Sequence, residues 1–160
     1  GGHCIAVDPW FLVASAPSLT PLIQAARSVN DNKPDAIIEK ILSCADNIKA
    51  KTISCLGLAY KANIDDLRES PAVEIVKKLA DKFEGGIHVC EPNIANLPQI
   101  LLRLPSITLS PLQTCLSDAE IIVLLTDHRE FTEIPPQVIE TKSIIDTRGV
   151  WQANTNLGTK

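Results

Sequence analysis

The chain has no methionine in its 160 residues, 4% aromatic residues, no Cys-x-x-Cys pair and no basic block. Each absence excludes something. Without an initiator methionine or a secretory leader, the sequence is expected to be a fragment with a segment upstream. No apolar run approaches the roughly 20 residues that cross a bilayer, so a spanning helix is excluded. The formal charge of −4 lacks the clustered cations of a nucleic-acid partner. Five cysteines, Cys4, Cys44, Cys55, Cys90 and Cys115, are odd in number and scattered. They show neither a metal-ligand spacing nor a disulfide framework, which points to a reducing, cytoplasmic setting and no metal. There is no internal repeat and no Gly-x-Gly-x-x-Gly turn, so a dinucleotide fingerprint is missing.

What is present fits one domain of ordinary size, able to bury about 70% of the surface of its unfolded chain. Between Thr20 and Ala50 the apolar positions Leu22, Ala26, Val29, Ile37, Ile41, Ala45 and Ile48 recur at helical intervals. Thr20 can cap this helix and Pro21 suits its first turn, while Pro34 predicts a kink or break near Asn32. Such a helix serves as a connector or dimer element, or simply packs. After Lys51 the period changes. The apolar run Ile53 to Tyr60 reads as a strand buried on both faces. Ser70-Pro71 opens a helix with Ala72, Ile75, Val76, Leu79 and Phe83 as its buried stripe, ending at Gly85-Gly86. Strands are expected at 87–90, 121–125 and 143–146, with a weaker one at 107–109. The alternation predicts an open, doubly wound, mostly parallel α/β sheet preceded by a long kinked or broken helix. Ligands of such sheets bind beyond the carboxyl ends of the strands.

That rule selects Tyr60 and Lys61, Glu91, Asp127 and His128, and Asp146 with Arg148. The loop from Tyr60 to Pro71 carries two cations, Lys61 and Arg68, and leads into a helix N-terminus. It can bind a phosphate, or its acids Asp65, Asp66 and Glu69 can pair with the cations on the surface. Arg148 offers a guanidinium fork for a phosphate or a carbonyl, or is solvated. His88 lies inside a strand and reads as a satisfied core residue. His128 sits beside Asp127 at a strand end, with nothing nearby that resembles a metal site. At the start, Gly1-Gly2-His3-Cys4 with Asp8 four residues on offers a thiol beside a carboxylate, the pattern of a nucleophile with a group that positions water. The same cysteine read alone is a small buried hydrophobe. His3 either supports the thiolate or points away.

Together these residues resemble the carboxyl-terminal half of the UDP-sugar 6-dehydrogenases. The resemblance rests on Gly1, Gly2, Cys4 and Asp8, on Gly57-Leu58-Ala59-Tyr60-Lys61 followed by Asp65-Asp66-Leu67-Arg68-Glu69-Ser70-Pro71, and on Val29-Asn30-Asp31, Glu91-Pro92 and Asp146-Thr147-Arg148-Gly149-Val150-Trp151. It spans nearly the whole chain. His3, where the glucose enzymes usually carry serine, is similar to the branch acting on UDP-N-acetyl-D-mannosamine. The resemblance implies a Rossmann-like domain at 51–160 that binds UDP-sugar. It also implies an active-site loop and central helix at 1–50 that support a homodimer or higher homo-oligomer. Further implications concern individual residues. Cys4 would be the thiolate of a four-electron oxidation of the sugar C6 alcohol through a thiohemiacetal and a thioester, with Asp8 on the water. Gly1, Gly2, Tyr60, Lys61 and Arg148 would contact the UDP-sugar, and Arg68 the NAD pyrophosphate. NAD itself would be bound mainly by an upstream domain, so this chain alone is expected to be inactive. The alternative from the residues alone is a stand-alone nucleotide-sugar or phosphate-binding module. A phosphoacceptor domain is disfavoured, because Lys61 follows the first strand and Asp146 closes the last, the reverse of the required polarity.

Overall fold

The computed structural model describes residues 3–151. It divides into two compact units, residues 1–36 and 37–160. In the first, α1 (His3–Ser15) and a 3-10 turn (Pro17–Leu19) precede α2 (Pro21–Asp31). The stretch expected as an active-site loop is therefore helical, its run from Ile5 to Ala14 holding no glycine to stop it. Thr20 precedes α2 without capping it; its hydroxyl instead donates to the Ala16 carbonyl at 2.9 Å. The long helix breaks where Pro34 required. α2 ends at Asp31 and α3 spans Lys33–Ile48, with Pro34 in its first turn, where a missing N–H costs no hydrogen bond.

The second unit carries a five-stranded, wholly parallel sheet. Its strands are β1 (Thr52–Leu56), β2 (Gly86–Cys90), β3 (Ile107–Leu109), β4 (Ile121–Leu124) and β5 (Ser143–Asp146), in the order β3-β2-β1-β4-β5. Register follows the apolar runs, with Cys55 opposite Val89 on one side and Val123 on the other. Because successive side chains alternate, β1 feeds two cores. Ile53 and Cys55 join Ile38 and Ile41 of α3 and Ile75 and Leu79 of α4 (Pro71–Lys82) on one face. Leu56 joins Leu124, Leu116, Phe131 and Trp151 on the other. That second face is covered by α6 (Leu112–Asp118), α7 (Arg129–Thr132) and α8 (Pro136–Ile139), after a short α5 (Gln99–Leu102). Burial pushes the Cys55 thiol up to about 12, so it is an inert core residue. α4 starts as expected: Ser70 accepts from the Ala72 amide, and Ala72, Ile75, Val76 and Leu79 are buried.

One strand boundary differs from expectation. The run Ile53 to Tyr60 leaves the sheet at Leu56, although Gly57, Leu58 and Ala59 stay buried. Gly57 adopts φ +91°, and a Cβ there would lie 2.5 Å from the Thr126 Cβ and 2.8 Å from its backbone nitrogen. Only glycine permits this turn and this approach to the end of β4.

Candidate functional site

Strand order reverses between β1, whose next connection runs outward to β2, and β4, which returns to the other side. The crevice outside the carboxyl ends of these two strands is where open α/β sheets bind ligands. Three loops meet there: residues 57–70 after β1, 91–93 after β2 and 125–128 after β4. Their backbones interlock. The Gly57 amide donates to the Cys90 carbonyl at 2.8 Å, and the Leu125 amide to Leu56 at 2.9 Å. The Thr126 hydroxyl donates to the Ala59 carbonyl at 2.9 Å, and the Ser70 hydroxyl to Leu58 at 2.6 Å.

At the centre is a buried pair, Glu91 and His128. One carboxylate oxygen of Glu91, Oε2, accepts from the Leu58 amide at 2.7 Å, the Ala59 amide at 2.9 Å and His128 Nε2 at 2.9 Å. Its other oxygen accepts from the Asn93 backbone and side-chain amides at 3.1 and 3.2 Å. The imidazole orientation is fixed by a group that can only donate. The Asn63 backbone N–H meets His128 Nδ1 at 2.9 Å, with the Asn93 side-chain amide at 3.1 Å. Nδ1 is therefore an acceptor, and the ring proton sits on Nε2, aimed at the carboxylate. Phe131 closes the far side in an edge-on contact, ring centroids 5.4 Å apart. Burial opposes ionisation of Glu91. The hydrogen bonds from His128 and from the Leu58 and Asn93 amides outweigh it and hold the carboxyl below its ordinary range.

Around this buried pair the candidate ligand-binding cations are exposed. Lys61 directly follows the turn that Glu91 braces. Tyr60, half-buried, is anchored through its backbone amide to the Asp66 carbonyl at 2.8 Å. Asp146 caps the loop after β5, taking the Arg148 and Gly149 amides at 2.8 Å on one oxygen and the Trp151 amide at 2.8 Å on the other. That turn sets Arg148, whose Nε lies 2.9 Å from Asp127 Oδ1. Arg68 is 81% exposed, and Asp66 holds its fork through Nε at 2.9 Å and Nη2 at 2.8 Å. The two readings left open for this loop thus divide by residue: Arg68 is ion-paired, whereas Lys61 has no such partner among the described residues.

Cys4 and Asp8 lie in the first unit, on α1, both exposed. Four residues apart on a helix, they share a face and line a shallow hollow with Ile5, Pro9, Phe11 and Leu12. Gly1 and Gly2 fall outside the described residues, as does the side chain of His3. His88 donates to or accepts from the Ser110 hydroxyl at 2.8 Å, a satisfied histidine as expected. Among the described residues, no three His, Cys, Asp or Glu side chains are grouped to hold a metal. Sequence reasoning had selected Glu91 and His128 separately, as strand-end positions, but missed their union. The only available signal was that both follow buried strands that flank β1.

Residues 54–153 match the UDP binding domain of the UDP-glucose/GDP-mannose dehydrogenase family. An NDP-N-acetyl-D-galactosaminuronic acid dehydrogenase of Ralstonia solanacearum is 46% identical over 153 residues, 96% of this chain and 36% of that protein. A UDP-N-acetyl-D-mannosamine dehydrogenase of Escherichia coli (strain K12) is 44% identical over 160 residues, 95% of this chain and 38% of that protein. Among solved structures, the UDP-N-acetyl-mannosamine dehydrogenase Cap5O from S. aureus superposes with a TM-score of 0.72 at 27% identity, over 94% of this chain and 34% of that one. The chain thus spans a little over a third of the length of the curated relatives it matches.

Proposed function

The chain belongs to the UDP-glucose/GDP-mannose dehydrogenase family, and we propose that it is the part of an NAD-dependent UDP-sugar 6-dehydrogenase that seats UDP. The observation that carries this reading is the placement of Tyr60-Lys61 after β1 and Arg148 after β5, both on the carboxyl edge and both on turns fixed by internal hydrogen bonds. Lys61 and Arg148 meet the diphosphate, and Tyr60 supplies an aromatic surface beside it. Gly1 and Gly2 extend the sugar-nucleotide contacts. The substrate is UDP-N-acetyl-D-mannosamine and the product UDP-N-acetyl-D-mannosaminuronate. The galactosaminuronic acid relatives favour a second sugar with the same N-acetyl group.

The described residues do not fit NAD as a complete site. The Leu58 and Ala59 amides, where a nucleotide turn holds pyrophosphate, already donate to Glu91. NAD therefore belongs to residues outside this chain, with Arg68 as the outer contact offered here, and no step through NAD is assigned to these side chains. What this chain contributes to catalysis is Cys4, the nucleophile toward the oxidised C6 carbon, and Asp8, one helical turn away, which orients the water that releases the acid. The whole protein assembles as a homodimer or higher oligomer through α2 and α3.

Calorimetric titration of the chain with UDP tests the binding reading. Lys61→Ala and Arg148→Ala should each weaken UDP about tenfold or more, as expected for a lost charge-assisted hydrogen bond. Unchanged affinity in both variants defeats the assignment. In the whole enzyme, Cys4→Ser should abolish uronate formation, and turnover with UDP-N-acetyl-D-mannosamine against its galacto epimer decides the sugar.

A further inference from the structure

The buried Glu91–His128 pair is far more elaborately satisfied than packing requires, and besides Asn93 it holds the loop after β1 at three amides, those of Leu58, Ala59 and Asn63. Two consecutive amides at the end of a parallel strand are the position at which open α/β folds offer a phosphate its hydrogen bonds. Here Leu58 and Ala59 spend both on Glu91 Oε2. The carboxylate is thus a built-in anion filling a cradle that a ligand would otherwise enter. The same oxygen also accepts the His128 Nε2–H, and that ring reaches back with Nδ1 to accept the Asn63 amide. Asn63 sits at φ +61°, in the left-handed region that asparagine enters more readily than other non-glycine residues. Its side-chain oxygen in turn accepts the Arg129 amide at 2.9 Å. The segment from Leu58 to Asn63 is therefore pinned at its first two residues by β2's carboxylate and at its last by β4's imidazole. Tyr60 and Lys61 lie between the pins.

We propose that Glu91 and His128 are positioning residues for nucleotide binding: the carboxylate closes the β1 amide cradle to the ligand's diphosphate, and the imidazole clamps Asn63. Tyr60 and Lys61 then meet that diphosphate, with Arg148, from a preset loop. The inference rests on the UDP-binding reading above. It adds that neither Glu91 nor His128 touches UDP, and that both act by removing the freedom of the loop, so their loss raises the ordering cost of binding.

Substitution at His128 separates the two pins. An asparagine oxygen can stand near the position of Nδ1 and a glutamine nitrogen near that of Nε2. His128→Asn keeps an acceptor for Asn63, and His128→Gln keeps a donor for Glu91. Amide hydrogen exchange and UDP titration are read on the same samples, with protection of the β4 amides of Ile122 and Val123 confirming the fold. In the unsubstituted chain, ¹⁵N spectra should show a protonated Nε2 and an unprotonated Nδ1 on His128. In His128→Gln, the Asn63 amide should lose protection while those of Leu58 and Ala59 keep theirs, and UDP affinity should fall about tenfold. His128→Asn, which keeps an acceptor for Asn63, should leave Asn63 protection and UDP affinity near those of the parent, whereas Glu91→Ala, which leaves the Leu58 and Ala59 amides without an acceptor, should expose both and weaken UDP similarly. Unchanged Asn63 protection in His128→Gln overturns the clamp. Lost protection with UDP affinity intact overturns the positioning role and leaves a merely structural pair. If UDP does not bind the unsubstituted chain, the functional reading falls and takes this one with it; if Lys61→Ala weakens UDP while His128→Gln and Glu91→Ala bind it normally, this inference alone fails.

Discussion

The two ends of β1 carry the same device in different surroundings. At the carboxyl end, Glu91 Oε2 accepts the consecutive amides of Leu58 and Ala59. At the amino end, Glu120 Oε2 accepts the consecutive amides of Lys51 and Thr52 at 2.5 and 3.1 Å. Both carboxyls are held below their ordinary value of 4.5, but for unequal reasons. For Glu91, burial opposes the charge and a full shell of donors overcomes it. For Glu120 the Lys51 and Thr52 amides dominate, burial opposes weakly, and Lys51 and Lys142 add attraction. Glu91 is 4% exposed; Glu120 is open to solvent. A hydrogen-bond pattern thus does not state its own importance. What matters is what takes its place when it is removed: water at Glu120, and nothing at Glu91.

Glu91→Ala should therefore have the largest effect. It leaves two buried amides and the His128 Nε2–H without an acceptor, and at about 1–3 kcal/mol for each buried donor left unsatisfied the loss should be about 3 kcal/mol or more. Urea unfolding measures it, and a loss no greater than that of Glu120→Ala would erase the distinction between the two ends. Next comes Gly57→Ala, which asks whether the carboxyl end is rigid or only well bonded. The new Cβ would meet the Thr126 Cβ at 2.5 Å and backbone atoms at 2.8 and 2.9 Å, none of which is a flexible side-chain tip. Together with φ +91°, this should cost about 2–3 kcal/mol in the same measurement. A near-neutral result would mean that the loop can shift, against the preset geometry argued for Lys61.

Ser70→Ala probes the same loop where it enters α4. The hydroxyl gives its proton to the Leu58 carbonyl and accepts the Ala72 amide at 3.2 Å, so one side chain is both a helix cap and a loop tie. Its loss should cost about 1–2 kcal/mol, with α4 otherwise intact by circular dichroism. A larger loss of helix signal would move Ser70 from the site to the core.

The parts legible in the sequence were those that depend on local pattern. Apolar runs located all five strands; Pro34 located the helix break; Ser70-Pro71 located the start of α4. Two elements were misread, the first because a tertiary contact overrides pattern. The run through Tyr60 reads as strand, yet Gly57 turns it out of the sheet to meet Thr126. The segment containing Cys4 and Asp8 was expected to form a loop but is helix α1. The strand-end rule selected Glu91 and His128 as well as Lys61 and Arg148, since it needs only strand boundaries and topology. It could not show that the first two face one another and are consumed internally, while the cations remain exposed. That distinction depends on the reversal of strand order, which brings residues 37 apart in sequence to 2.9 Å.

The smallest effect, and the one that tests the comparison most directly, is expected at Glu120. Glu120→Gln keeps the shape and an acceptor for Lys51 and Thr52 but removes the charge. Because the folded carboxyl titrates below its ordinary value, its contribution is present above that value and is lost as pH falls through it toward the depressed one. The stability gap between the parent chain and Glu120→Gln should therefore be a small one at pH 7, should begin to close as pH falls below about 4.5, and should be gone below the depressed value, where the folded carboxyl also becomes neutral. The same sign holds for Glu91→Gln, with a larger gap and a flatter acid limb in the variant. Salt separates the two. With a Debye length of about 3 Å at 1 M, added sodium chloride should shrink the Glu120 gap, whose charges face water, and leave the buried Glu91 gap nearly as it was. If both gaps shrank alike, Glu91 would be as solvated as Glu120. The carboxylate could then not be filling the amide cradle in place of a ligand.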